Sequence, residues 1–304
     1  MHTKEILPLK ALVLNPMEIS NMKDRQVKTE YDFLVLTDFS DASYRALKYA
    51  ISLAKLIKST IHVCHVANPE KIVENDNALM AIRDIESESK KIKKKIGAIV
   101  EIVTTEGINV IPHYSIGNII GEFKDRIDVI NPDIVILGKK KNNPNLSGKM
   151  TSYLINEYTG SLLIVDEETE FKSDTKISIG CNTNTLDRYD PSLLFSLDRQ
   201  TKASISLLNI KNSNDSLEKI DIPITWRKSS NEIDQNVKVE HENDSSIADG
   251  LLKHIFTNKI SLLCVGKGKP KNFMQRLIPS HSSTISEIVT KVHIPILMLG
   301  ANSN

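Results

Sequence analysis

Phe33-Leu34-Val35-Leu36-Thr37-Asp38-Phe39-Ser40 is the stretch on which the fold turns. Four apolar residues in a row, too few for a helix and closed by polar residues, read as a strand buried on both faces. Behind it, Ala46, Leu47, Ala50, Leu53, Ala54 and Ile57 recur at helical spacing, which sets one stripe of the next segment against a sheet. Ser40 or Asp41 stands where a cap for that helix is needed.

Downstream the alternation continues. Residues 61–66 are rich in β-branched side chains and read as a second strand. A longer helix follows, whose inner face is expected to hold Ile82, Ile85, Ile92, Ile96 and Ile99. The lysine run 90–95 on that helix reads as a solvated outer face, because the isoleucines set the buried side and Glu86 to Lys90 is a favourable i,i+4 pair. Then come a strand at 109–114, a helix at 118–130, a strand at 133–137, a glycine-bounded loop, a helix at 151–158 and a strand at 161–165. Strands alternating with helices of this length predict right-handed crossovers and a mostly parallel sheet covered on both faces.

A second pass of the same order starts at 177–180 and gives a helix at 192–201, strands at 203–210 and 237–241, a helix at 247–256 with Leu251, Leu252 and Ile255 inward, and strands at 261–265 and 294–299. A polar segment, 211–235, replaces the long isoleucine helix, and Gly266 ends its strand as Gly138 ends the counterpart. Repeated order implies duplication. The expected organisation is an N-terminal extension, 1–30, a first domain, 31–168, a charged linker within 167–175, and a second domain, 173–304. A chain of 304 residues fits two domains better than one.

Composition narrows the function classes. Apolar residues make up 40% and charged residues 25%, the balance of a globular protein. No run of about eighteen apolar residues suggests a membrane span. The first residues, with Lys4 and Lys10, lack the apolar core of a secretory signal, so a cytoplasmic location is expected. A net charge of +1 gives no general attraction to nucleic acid, and none is expected as partner. Cys64, Cys181 and Cys264 sit among apolar neighbours without C-x-x-C spacing, and read as core residues of a reducing compartment rather than disulfide or metal ligands.

Thr37-Asp38-Phe39-Ser40 before an alanine-rich helix, His65-Val66 closing the second strand, and the glycine-bounded loop after the fourth make the chain beyond residue 30 similar to the universal stress protein family. The resemblance implies an α/β protein of two tandem doubly wound, mostly parallel five-stranded sheets, the adenine-nucleotide α-hydrolase-like or Usp fold, with the second copy degenerate. It also implies a non-catalytic role in stress response. In nucleotide-binding members an aspartate at the Asp38 position and backbone at the Val66 position hold ribose and adenine. A G-x2-G-x9-G-[ST] loop takes the phosphates on backbone amides and a helix N-terminus. Here the loop reads Gly138-Lys139-Lys140-Lys141 and, after 142–147, Gly148-Lys149-Met150-Thr151; it is about three residues short, with Lys141 in place of the second glycine. The implied site for ATP, ADP or AMP is therefore Thr37, Asp38, Val66, Leu137, Gly138, Lys141, Gly148, Lys149, Met150 and Thr151. Two readings of the loop stand together: its lysines supply point charges to phosphates, or they are solvated and the β-carbon of Lys141 keeps phosphate away.

The second half departs further. Asn182 or its neighbour stands at the aspartate position, Gly266-Lys267-Gly268-Lys269 has another spacing, and Ser282-Ser283 in the Gly-Ser/Thr register reads first as a helix cap. No G-x-x-x-x-G-K-[ST], G-x-S-x-G or H-E-x-x-H occurs. His62 and His65, three apart on a strand, face opposite ways and make poor metal co-ligands, while His281 and His293 read as surface or capping residues. The chain is thus not expected to be an enzyme. A ligand-free protein-interaction scaffold and a slow ATP hydrolase are the alternatives. A dinucleotide fold is excluded by the glycine-free turn Asp38-Phe39-Ser40-Asp41. The apolar last strands of the two halves are expected to pair as an intramolecular pseudo-dimer, with a homodimer of chains left open.

Overall fold

The computed structural model describes residues 30–72, 77–140, 149–172, 175–180, 186–201, 204–211, 238–243, 246–267 and 282–301. The first half runs β1 (Tyr31–Leu36), α1 (Asp41–Ile57), β2 (Ser59–Ala67), α2 (Ala78–Thr105), β3 (Val110–Ile116), α3 (Ile119–Ile130), β4 (Ile134–Lys139), α4 (Lys149–Asn156) and β5 (Ser161–Asp166). The second half runs β6 (Lys176–Gly180), α5 (Ser192–Thr201), β7 (Ser204–Lys211), β8 (Lys238–Asn243), α6 (Ile247–Asn258), β9 (Leu262–Gly266), α7 (Ser282–Lys291) and β10 (Ile296–Leu299).

All ten strands join one sheet in the order β3-β2-β1-β4-β5-β10-β9-β6-β7-β8. From each outer edge inward, both halves follow the same order: third strand, second, first, fourth, fifth. Neighbouring strands are parallel within each half. At the centre β5 and β10 meet antiparallel, with Leu163 opposite Leu297. The five-stranded sheets read from the sequence are thus fused. Each half would otherwise leave an apolar strand with a bare row of N–H and C=O groups, and the pairing satisfies both rows.

Alternation along each strand feeds two cores. Phe33, Val35, Leu163 and Val165 pack with α1, α2 and α5 on one face. Leu34, Leu162 and Ile164 pack with α3, α4, α6 and α7 on the other. Ser40 caps α1, accepting from Ser43 N. The C-caps of α1, α3 and α6 are Lys58, Asn131 and Lys259, all in the left-handed region that glycine usually fills.

The long helix α2 departs from its sequence reading. Ile92, Ile96, Ile99 and Val103 are buried, but Ile85 is only partly so and Ile82 is 54% exposed. Its 28 residues span about 42 Å at 1.5 Å each, longer than the strands it covers, so the first turns overhang the sheet. In the lysine run, Lys91 pairs with Glu88 at 3.1 Å, and Lys93 and Lys95 lie over the rings of Tyr114 and Phe39. The charged linker is packed as well: Thr169 and Thr175 are buried and Phe171 meets Tyr49 edge-on at 5.4 Å. Cys64 and Cys264 are free, buried thiols. The extension 1–29, residues 212–237, Cys181, Asn182 and His281 lie outside the described residues. No described helix is long and apolar enough to cross a membrane.

Candidate functional site

The turn between β1 and α1 is built by its own polar groups. The Thr37 hydroxyl accepts from Phe39 N at 3.1 Å and shares a 3.1 Å bond with Ser43 Oγ. The Thr37 carbonyl accepts from His65 Nδ1 at 2.8 Å, which fixes that tautomer. Phe39 has φ +60, a strained value for a residue with a β-carbon. It is held there by the His65 ring, 4.3 Å away between centroids, and by Lys95 Nζ, 4.9 Å above its own ring. With Phe39 pinned, the Asp38 carboxylate accepts from Ser40 N at 3.0 Å and from Ser40 Oγ. Partial burial opposes its charge, but the Ser40 donors, Ser43 and nearby Lys140 outweigh that and hold the carboxyl below its ordinary range. At neutral pH Asp38 is an anion.

Asp38 stands at the lip of a cavity of about 350 Å³ beyond the carboxyl ends of β1, β2 and β4. Chain order reverses at β1 and β4, the place where open α/β sheets form a crevice. Its apolar wall is made by Leu36, Cys64, Val66, Ile119, Phe123, Leu137 and Met150, and its polar side by Thr37, Asp38, Ser40, Ser43, Lys140 and Thr151. Of the residues singled out from the sequence, Thr37, Asp38, Val66, Leu137, Gly138, Met150 and Thr151 line this cavity. Lys149 begins α4 and is exposed outside the lining, and Lys141 and Gly148 lie outside the described residues. The sequence reading missed Ile119 and Phe123, which reach the cavity only because α3 crosses above β2. It also took Cys64 for plain core. That thiol forms part of the wall, and burial pushes it up to about 12, so it stays protonated and inert.

Gly138 has a packing reason apart from any ligand. A β-carbon there would lie 2.1 Å from the Ala42 carbonyl oxygen and 2.8 Å from Ser43 N, both backbone atoms of the first turn of α1. Lys139 also borders the cavity, but its ammonium is engaged elsewhere. Its Nζ donates to the carbonyls of Val289 and Val292 at 2.6 and 2.7 Å, at the end of α7, and lies 3.2 Å from Asp166 Oδ2. The Asp166 side chain is fully buried. It also meets His293 Nδ1 at 3.2 Å and accepts from Glu168 N at 3.1 Å. Asp166, Glu168 and His293 are close enough together to suggest a cation site, yet the Lys139 ammonium already supplies the positive charge at the buried oxygen. The grouping ties the two halves across the β5–β10 seam.

Two other histidine groupings are structural. Asn258 Nδ2 donates to His254 Nδ1 at 3.0 Å, so the other ring nitrogen donates to Ser178 Oγ, 3.1 Å away, and cannot act as base toward it. Both Ser178 and His254 are fully buried. In the first half His62 Nε2 meets Asp32 Oδ1 at 3.2 Å and His62 Nδ1 meets His113 Nε2 at 2.9 Å. Burial, Arg126 and His62 together hold His113 at about 3 against an ordinary 6.5. The unfolded chain therefore takes up this proton first. Stability is unaffected above pH 6.5 and falls as pH drops toward the folded value. After allowing for solvent screening, a loss of about 1–2 kcal/mol between roughly pH 7 and pH 4.5 is expected. Urea midpoints of the wild type and His113→Phe across that range check it; equal acid slopes would rule it out.

Residues 32–166 match the Universal stress protein family. This segment is a universal stress protein domain. The match begins within β1 and ends at Asp166, the last residue of β5, and so takes in the cavity and every described residue of its lining. No curated protein is similar enough in sequence to match the chain. Among solved structures, a universal stress protein from Archaeoglobus fulgidus DSM 4304 is 14% identical with a TM-score of 0.66, over 88% of this chain and 97% of that one. A putative universal stress protein from Pseudomonas aeruginosa UCBPP-PA14 is 13% identical with a TM-score of 0.53, over 89% and 93%. At such identities the likeness is one of fold, and it extends beyond the universal stress protein domain into the second half.

Proposed function

We propose that the universal stress protein domain binds an adenine nucleotide, ATP, ADP or AMP, in the cavity beside Asp38, and that the protein is a non-catalytic stress-response regulator. The second half is, on this reading, a degenerate copy joined to the first as an intramolecular pseudo-dimer, with domains at 31–168 and 173–304. The ionised Asp38 carboxylate at the edge of an apolar cavity carries the proposal. Both Ser40 donors fall on Oδ1, so Oδ2 keeps acceptor capacity for ribose hydroxyls. The wall of Val66, Phe123 and Met150 suits an aromatic base. Lys140 and the Thr151 hydroxyl supply polar groups for phosphate, with Lys139 engaged elsewhere. Among the described residues of the lining the one carboxylate is Asp38, which this reading gives to the ribose, and that supports binding over hydrolysis. The two free buried thiols agree with a reducing, cytoplasmic setting.

The test is a thermal shift with millimolar ATP, ADP or AMP. Nucleotide at about a hundredfold its dissociation constant is expected to stabilise the wild type by ~2.7 kcal/mol. Asp38→Ala is expected to remove that shift, and to lower the ligand-free melting temperature only by the loss of its bonds from Ser40. A wild type that does not respond overturns the proposal. A second reading, an interaction scaffold, is favoured by one observation: Leu79, Met80 and Ile82 are exposed together on the overhanging start of α2.

A further inference from the structure

The lysines that follow the two strand-end glycines cross the seam in opposite directions. Lys139, after Gly138, reaches from the first half to the carbonyls ending α7. Lys267, after Gly266, reaches from the second half to the other side: its Nζ donates to Leu154 O of α4 at 2.5 Å and to Gly160 O at 3.5 Å, and sits 4.7 Å above the Tyr158 ring. Lys139 has the buried carboxylate of Asp166 beside it. Lys267 is 5% exposed and meets carbonyls and a ring, with no carboxylate among the described residues. Carrying an amine into such a place is unfavourable unless it holds something.

What it holds is α4. This helix has eight residues, about 12 Å, far too short to be stable by itself. Leu154 and Ile155 bury one side of it. Its far end is tied by Lys267, and its first turn, with Met150 and Thr151, lines the cavity. We propose that Lys267, a residue of the second half, is a positioning residue for the ligand cavity of the first: by capping the C-terminal end of α4 it fixes the helix whose other end forms the cavity wall. This rests on the nucleotide reading for its ligand, though not for the clasp itself. It gives the second half a role in binding that needs no second site. The titratable groups facing Lys267 are Tyr158, beneath its ammonium, and Tyr189, whose hydroxyl donates to the Lys267 carbonyl at 3.3 Å. Burial pushes both phenols above their usual range and pulls the Lys267 amine down to about 7. The charged form grips the carbonyls and ring more strongly than the neutral amine, so affinity should decline as pH rises through neutrality.

Two measurements on the full chain test this: calorimetric titration with ADP across the neutral range, and amide hydrogen exchange of α4 without ligand. Lys267→Met is expected to weaken ADP on the order of tenfold, to speed exchange in α4 more than in β1 or α1, and to remove the Lys267 part of the pH profile. Lys267→Arg, charged at every pH, is expected to restore tight binding without that pH limb. Lys267→Gln, which keeps a donor and is the safer folder, should fall between. Unchanged α4 exchange in both neutral variants overturns the clasp, whatever the ligand. Wild type that binds no ADP, with α4 exchange still raised in the variants, overturns the nucleotide reading and leaves the clasp standing. Wild type that binds, with Lys267→Met and Lys267→Gln binding equally well, overturns the coupling to the cavity.

Discussion

Gly138→Ala is expected to destabilise the ligand-free protein by about 3 kcal/mol. The new β-carbon would fall 2.1 Å from Ala42 O, 2.4 Å from Ala42 C and 2.8 Å from Ser43 N. These atoms cannot rotate aside as a side chain would. They belong to the first turn of α1, which Ser40 caps and which the bonds among Thr37, Ser40 and Ser43 tie to the end of β1. Relief requires α1 or β4 to move as a body, opening a core that holds Ala46, Ala50 and Ile136. A melting temperature lower by ~5 °C follows for a chain of 304 residues. The measurement separates two roles for the glycine. If its only task were to let phosphate approach backbone amides, the ligand-free melting temperature would not change. A shift of less than about 0.5 kcal/mol, the range of an ordinary surface substitution, would show that the approach of α1 to β4 does not require a glycine at 138.

The same glycine shows where the sequence was readable. Elements whose burial follows a period were legible: α5 occupies 192–201 as its spacing predicts, and the strands fall within a residue or two of their apolar runs. Helix ends at Lys58, Asn131 and Lys259 were harder, because their left-handed caps are not glycine. The overhang of α2 was hidden, since a helical stripe of isoleucines does not reveal where the sheet beneath it stops. At the candidate site, the polar turn could be read locally, but the apolar wall could not. Phe123 and Ile119 come to Asp38 through strand order, and no local pattern encodes that. The roles of the lysines depended on a boundary. Reading the strand as ending at 137 puts Lys139 and Lys140 in one loop as equals. β4 in fact continues to Lys139, in register with Asp166 on β5; both lysines border the cavity, but the Lys139 ammonium is taken up by Asp166 and by the carbonyls that end α7. The cross-strand pair Lys139–Asp166 would have been visible had β4 been drawn two residues longer and β5 one residue longer.

That pair supports the second large effect. Lys139→Met removes the ammonium beside Asp166, whose side chain is fully buried, and leaves the carboxylate with His293 and the Glu168 amide. Breaking one partner of a buried pair leaves an uncompensated charge, and a loss of about 3 kcal/mol or more is expected. The carbonyls of Val289 and Val292 lose their donor in the same substitution. The pH dependence then changes sign. In the wild type, burial raises the Asp166 pKa, but the Glu168 amide, Lys139 and His293 more than offset it and hold the group below 3.8. Its contribution is therefore present above the unfolded value and is lost as pH falls through the folded one. Without Lys139 burial dominates and the folded pKa rises above the unfolded value, so the variant should regain part of its stability as pH falls toward roughly 4. Lys139→Met combined with Asp166→Asn removes both charges and should recover most of the loss, because the cost of the single substitution lies in the stranded carboxylate and not in the missing attraction. Denaturant midpoints of the two single variants and the double variant at neutral pH form the test. If the double variant is as unstable as the sum of the singles, the two groups do not act as a pair, and the seam is held by the β5–β10 ladder and its apolar side chains alone.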